Sequence, residues 1–271
     1  MVRMIMKPHG SIIKSLILLL VVGIYTHGTI LRNVVWRDEI SLCSDTILRS
    51  PNKARAYSNL GIALGAVGKQ STAIENFNRA IYLNPFYVQA YYNRGIAYVN
   101  MGYFEKSIDD FSRTINLQPS YYEAYYNRGI VYNKMGNFAK AIDDLSIAIK
   151  LKPSDDEAYY NRGMAFGKLG QFENAIADYN EAIRINPRHF WSLEDRAIAY
   201  TLTGQYDRAL ESFTTAILLY PNDPMTYYNR GSFYIRIGNS ELALLDLRKA
   251  CDLGNEKACS VRDQLTQGSR R

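Results

Sequence analysis

Five arginines in this chain stand 34 residues apart: Arg94, Arg128, Arg162, Arg196 and Arg230. Sixteen residues after four of them comes an aspartate, Asp110, Asp144, Asp178 and Asp246; after Arg196 the residue is Ser212. A guanidinium is a planar fork that meets a carboxylate at two points. Two chemistries follow: the arginines bridge to these aspartates inside the protein, or they form a row that recognises an acidic ligand. The two residue types vary together along the chain. One step before the first pair, the equivalent places hold Leu60 and Asn76, and both charges are gone. That pattern favours structural ion pairs Arg94–Asp110, Arg128–Asp144, Arg162–Asp178 and Arg230–Asp246. Arg196 is then left to borrow a different acid.

Two further ladders keep the same step. Tyr92, Tyr126, Tyr160 and Tyr228 form one, interrupted by Ser58 and Glu194; Asn59, Asn93, Asn127, Asn161 and Asn229 form the other, interrupted by Asp195. An asparagine amide both donates and accepts, so it pairs with an extended peptide backbone whatever the peptide's sequence. Tyrosine offers a large apolar face with a polar tip and few rotatable bonds. Lys134, Lys168 and Arg236 recur beside them and would suit an acidic ligand, although exposed basic residues are common on any helix. The plainer alternative is that asparagine and tyrosine are simply residues this repeat tolerates.

Catalysis finds little support. The three histidines are His9, His27 and His189, and none has a Ser or Cys partner at a recognisable spacing. Asp109–Asp110 and Asp143–Asp144 look like paired carboxylates, but they recur with the repeat. The glycines also belong to the repeat, so they make no phosphate loop. Cys43, Cys251 and Cys259 contain no CxxC pair, which argues against a structural zinc site. No cofactor or metal is expected. The net charge of +6 comes without a run of Lys/Arg interleaved with aromatics, so no nucleic-acid partner is expected.

The elements that carry these ladders are helices. Pro51, Pro85, Pro119, Pro153, Pro187 and Pro221 are 34 residues apart, and so are Gly68, Gly102, Gly136, Gly170, Gly204 and Gly238. Between Gly136 and Pro153, the apolar residues Phe138, Ala141, Ile142, Leu145, Ala148 and Ile149 keep the spacing of one helix face. Gly136 suits a turn that needs a left-handed backbone, and Pro153 stops the second helix. The period defines six helix-turn-helix repeats over 54–87, 88–121, 122–155, 156–189, 190–223 and 224–257. A degenerate helix (32–53) precedes them, and a capping helix with a basic tail (258–271) follows.

These residues resemble the tetratricopeptide repeat family. Its pattern is an aromatic at position 4, a small residue at 8, an aromatic at 11, Ala at 20, an aromatic at 24, Ala at 27 and Pro at 32. The fourth repeat supplies Tyr159, Gly163, Phe166, Ala175, Tyr179, Ala182 and Pro187; the second supplies Tyr91, Gly95, Tyr98, Ser107, Phe111, Thr114 and Pro119. The fifth departs at position 4 with Leu193, and the sixth has Asn255 in place of Pro. The resemblance implies an all-α, right-handed α-solenoid, in which each repeat stacks on the next to bury its apolar face. It also implies a non-enzymatic scaffold whose first helices line a groove for protein partners. The asparagine ladder is similar to that of O-linked N-acetylglucosamine transferases, which hold extended peptides this way.

Leu16 to Leu31 is almost wholly apolar and follows Arg3, Lys7 and Lys14. This fits a single-pass signal anchor over 1–31, with the repeats outside the cytoplasm. A cleaved signal, leaving a secreted or periplasmic protein, is the other reading. Arg32 to Gly61 resembles the segment that joins membrane to repeats in O-mannosyltransferase-like proteins. This adds a second functional reading, an accessory or truncated relative of a glycosyltransferase that holds substrate for a separate catalyst. Ala250 to Cys259 resembles the cysteine spacing of Sel-like repeats, which implies a Cys251–Cys259 disulfide; two small buried thiols are the alternative.

Overall fold

The structure is a computed structural model that describes residues 38–268. The apolar run Leu16–Leu31, the anchor assigned to 1–31 and the first residues of the degenerate helix lie outside the described residues. Among the described residues there are fourteen helices and no strand. The chain divides into two compact units, one ending at Leu117 and the other running from Gln118. Each unit is a solenoid of helix pairs.

The first unit contains α1 (Glu39–Arg49), α2 (Ala54–Ala66), α3 (Gln70–Leu83), α4 (Val88–Asn100) and α5 (Phe104–Leu117). The second contains α6 (Tyr122–Lys134), α7 (Phe138–Leu151), α8 (Asp156–Lys168), α9 (Phe172–Ile185), α10 (Phe190–Leu202), α11 (Tyr206–Leu219), α12 (Pro224–Arg236), α13 (Ser240–Asp252) and α14 (Glu256–Gly268). Even-numbered helices from α2 to α12 are the first helices of the six repeats. The final helix begins two residues earlier than the boundary read from sequence, because Asn255 caps it by accepting the Ala258 N–H.

Each turn between paired helices rests on a glycine. Gly136 has φ of +76° and donates its N–H to the Asn133 carbonyl, a conformation that costs a residue with a Cβ. Side-chain caps are sparse: Lys53, Tyr87 and Tyr121 precede their helices without one, whereas Asp155 and Asp223 accept from Ala158 and Thr226. Helix stability here therefore comes mostly from packing.

The packing is small against large. Ala73, Ala80, Ala141, Ala148, Ala175 and Ala182 are fully buried and let backbones approach. Phe77, Phe111, Leu145, Tyr179, Phe213 and Leu247 fill the space this opens, and each is buried. Gly163 is needed for contact rather than for conformation. A Cβ added there would sit 2.8 Å from the Tyr179 ring. Gly95 meets Phe111 in the same way, at 2.7 Å.

Candidate functional site

The arginine ladder lies between the two helices of each repeat. Arg94 donates from Nε to Asp110 Oδ2 at 2.8 Å and from Nη2 to Oδ1 at 2.7 Å. Arg128–Asp144, Arg162–Asp178 and Arg230–Asp246 repeat this two-point fork at 2.7–2.8 Å. The carboxylates are almost fully covered, while the guanidiniums keep about a fifth of their surface exposed. Burial pushes the Asp110 and Asp178 carboxyls up, even against the arginine charge. The pairs thus hold desolvated charge at good geometry and do not present an open row to a ligand.

A third contact was not legible in the covariation. Arg94 Nη1 donates to Asn78 Oδ1 at 2.6 Å, and Arg162 Nη1 donates to Ser146 Oγ at 2.9 Å. Asn78 and Ser146 belong to the preceding repeats, so the same guanidinium ties one repeat to the next. The expectation for Arg196 needs correction. No acid clasps it: its Nε donates to Ser212 Oγ at 3.2 Å and its Nη1 to Asn180 Oδ1 at 2.7 Å, and the Glu211 charge acts on it without forming an ion pair. Among the described residues no carboxylate makes an ion pair with it.

The tyrosine ladder is half-buried and serves the core. Tyr92 packs on Phe111 at 5.9 Å between ring centres, and Tyr160 packs on Tyr179 at 6.1 Å and on His189 at 5.1 Å. Tyr126 covers Ala141, Leu145 and Ala165, and Tyr228 covers Leu247, Ala250 and Ala258. Burial raises the Tyr126 and Tyr160 hydroxyls above the ordinary phenol range.

The asparagines divide into four kinds. Asn127 and Asn161 each donate an amide hydrogen to their own helix, at the carbonyls of Glu123 and Glu157. Asn229 donates to Glu194 Oε2 at 2.8 Å. Asn59 is exposed. Asn93 differs: its amide nitrogen is buried and has no hydrogen-bond partner.

Asn93 lies at a hollow between α2 and α4, with Ile62, Ile96 and Asn100 also in its wall. In the second unit a similar hollow lies between α8 and α10, where Met164, Lys168, Asp195, Ile198 and Leu202 meet. A further one between α10 and α12 adds Asn229, Ser232 and Arg236. Ile62, Ile96, Ile130, Met164 and Ile198 are one more 34-residue ladder, and sequence reading passed over it. Its sequence signal was the aliphatic residue type at one repeated position; the structure adds that Ile62 and Ile198 are exposed. Lys168 shares its hollow with Asp195, whose carboxyl is raised by burial and lowered by the Tyr160 hydroxyl and the Lys168 charge. The basic row is therefore partly neutralised within the chain. Lys134 is exposed at the end of α6.

Cys251 and Cys259 form a disulfide that joins α13 to α14, with Cα atoms 4.8 Å apart. Cys43 is a buried free thiol. Among the described residues no group of His, Cys, Asp and Glu could hold a metal, and no helix is long and apolar enough to cross a membrane.

Sequence models described as "Tetratricopeptide repeat" match residues 88–121, 122–155, 156–189, 178–211 and 212–244, and one described as "TPR repeat" matches 66–102. The chain is a tetratricopeptide repeat protein. No curated protein matches it in sequence. Among solved structures it is similar to YrrB, titled a TPR protein with an unusual peptide-binding site. The TM-score there is 0.63 at 22% identity, covering 69% of this chain and 97% of that one. MamA from Desulfovibrio magneticus RS-1 matches with a TM-score of 0.59 at 23% identity, covering 61% and 94%. The APC/C hetero-tetramer Cut9–Hcn1 matches with a TM-score of 0.62 at 18% identity, covering 83% of this chain and 45% of that one. At these identities the likeness is one of fold. The comparisons lend no support to the O-mannosyltransferase-like resemblance of Arg32 to Gly61.

Proposed function

We propose that this protein is a non-enzymatic scaffold that binds an extended segment of another protein in the hollows between its first helices. The observation that carries this reading is Asn93, which shares the wall of a hollow with Ile62 and Ile96 and whose buried amide nitrogen has no acceptor. A buried donor without a partner costs about 1–3 kcal/mol, and a peptide carbonyl would relieve it once the Asn93 amide turns into the hollow. The aliphatic walls would take alternate side chains of the same segment. YrrB, which has this fold, carries a peptide-binding site by its title. The test is binding of a 15-residue peptide array by the full chain. Ile198→Asp and Asn93→Leu should each weaken the strongest peptides at least tenfold, the first without changing the melting curve and the second without lowering it. Undiminished binding in both variants would refute the reading.

The same proposal holds the array at a membrane by residues 1–31, with the repeats outside the cytoplasm. The apolar run Leu16–Leu31 and the Cys251–Cys259 disulfide support it, since cytosolic thiols are kept reduced. A membrane-impermeant maleimide tests the side. In a variant whose native cysteines are serines, a new cysteine replacing exposed Lys150 should be labelled in intact cells. Labelling only after lysis would place the array inside. The matched structures give no support to the accessory-glycosyltransferase reading.

A further inference from the structure

The fifth repeat departs from its neighbours in a way the groove does not explain. In the other four arginine repeats the guanidinium is clasped by an aspartate, and in three of them a tyrosine at position 4 sits within 6 Å of it. Arg162, for example, has Asp178 at its fork and Tyr159 at 5.8 Å. The fifth repeat keeps the arginine but loses both the acid and the ring at position 4. Ser212 stands in place of the aspartate, and Leu193 in place of the tyrosine.

The framework around Arg196 is otherwise intact. Its Nη1 bonds Asn180 of the preceding repeat, as Arg94 bonds Asn78. Tyr200 packs between two guanidiniums, with Arg196 at 5.9 Å and Arg208 at 5.8 Å. Only one long bond, Arg196 Nε to Ser212 Oγ at 3.2 Å, stands where a two-point fork stands elsewhere. A serine ends two heavy atoms short of an aspartate's carboxylate, so the fork faces the place that an anion fills in every sister repeat.

We infer that the Arg196–Ser212 notch is an anion site that takes a carboxylate from outside the chain. The four internal pairs define the ligand: planar, two oxygens, approached by Nε and Nη2. Burial lowers the Arg196 pKa although Tyr200 and the Glu211 charge act the other way, whereas Arg94, Arg128, Arg162 and Arg230 are all raised. A bound carboxylate would remove that difference. The site is separate from the hollows and does not depend on them for its test.

The experiment is thermal unfolding of the purified full chain in sodium formate against sodium chloride at equal ionic strength. The wild type should melt higher in formate, saturably, by about 2–4 °C, the shift of one charge-assisted contact. Ser212→Asp should melt higher in chloride and lose the formate response. Asp178→Ser opens the same notch in the fourth repeat and should gain a formate response, so the test survives if Ser212→Asp folds poorly. The source is read from N-acetylglutamate amide and its glutamine analogue. A shift with the glutamate compound assigns the site to a partner's side chain, and a shift with formate alone assigns it to a free small carboxylate; both sustain the inference. No formate shift in the wild type, or an equal shift in Ser212→Asp, overturns it.

Discussion

Arg162 and Asp178 meet at two points, Nε to Oδ2 at 2.8 Å and Nη2 to Oδ1 at 2.7 Å, while Arg162 Nη1 reaches back to Ser146 at 2.9 Å. One side chain thus pairs two helices of its own repeat and clamps the repeat before it. Removing one partner strands a mostly buried charge. Asp178→Leu should destabilise by about 3 kcal/mol, and the double variant Arg162→Leu/Asp178→Leu should lose less than that. A double-mutant cycle from urea unfolding measures both, and additive losses would contradict the pairing.

Gly163 faces the ring of Tyr179. An added Cβ would lie 2.8 Å from Cε1 and 3.2 Å from the Asp178 Cβ, so neither neighbour yields freely. Gly163→Ala should cost about 1–3 kcal/mol despite alanine's better helix propensity. Gly167→Ala on the same helix meets nothing nearer than 3.7 Å and should be neutral or stabilising. Comparing their unfolding midpoints separates packing from propensity.

Glu194 is buried where other repeats carry tyrosine. It accepts from Asn229, lies beside the Thr226 hydroxyl, and burial pushes its carboxyl up to about 6. The folded state then holds a proton that the unfolded state releases near pH 4.5. The resulting stability is present below pH 4.5 and is lost as pH rises through about 6. Relative to Glu194→Gln, the wild type should gain up to about 2 kcal/mol between pH 7 and pH 4.5. Denaturant melts of both proteins across that range test it; parallel pH profiles would mean that Glu194 titrates normally.

The Cys251–Cys259 bridge closes a short loop and pins α14, through Ala258, onto Leu247 and Ala250 of α13. Reduction, or Cys259→Ser, should weaken the end of the array by about 2–3 kcal/mol. Hydrogen exchange should rise first in α14 and α13 and stay unchanged in α6 to α8. A uniform rise along the chain would show that the bridge stabilises more than the end.

The fold was legible because one period governs several residue types at once. Pro153, Gly136 and the apolar face from Phe138 to Ile149 all demand the same helix pair. The ion pairs were legible because Leu60 and Asn76 lose charge together. What sequence could not supply was the direction of each side chain. Tyr126 and Tyr160 recur like ligand contacts yet pack inward, and Asn127 and Asn161 spend a donor on their own helices. Periodicity marks a position as constrained and does not say whether core or ligand imposes the constraint. The aliphatic row through Ile198 was hidden by the same ambiguity, since an aliphatic residue on a helix reads first as core.

The most direct measurement is photo-crosslinking in intact cells from two positions of the full chain. A benzophenone amino acid replaces Ile198, in the hollow between α8 and α10, or Leu218, which is 77% exposed on α11. The account predicts a discrete adduct from position 198 whose crosslinked peptide maps to one extended segment of another protein, and none from position 218. Adducts from position 218 alone, or equal adducts from both, would contradict binding in the hollows.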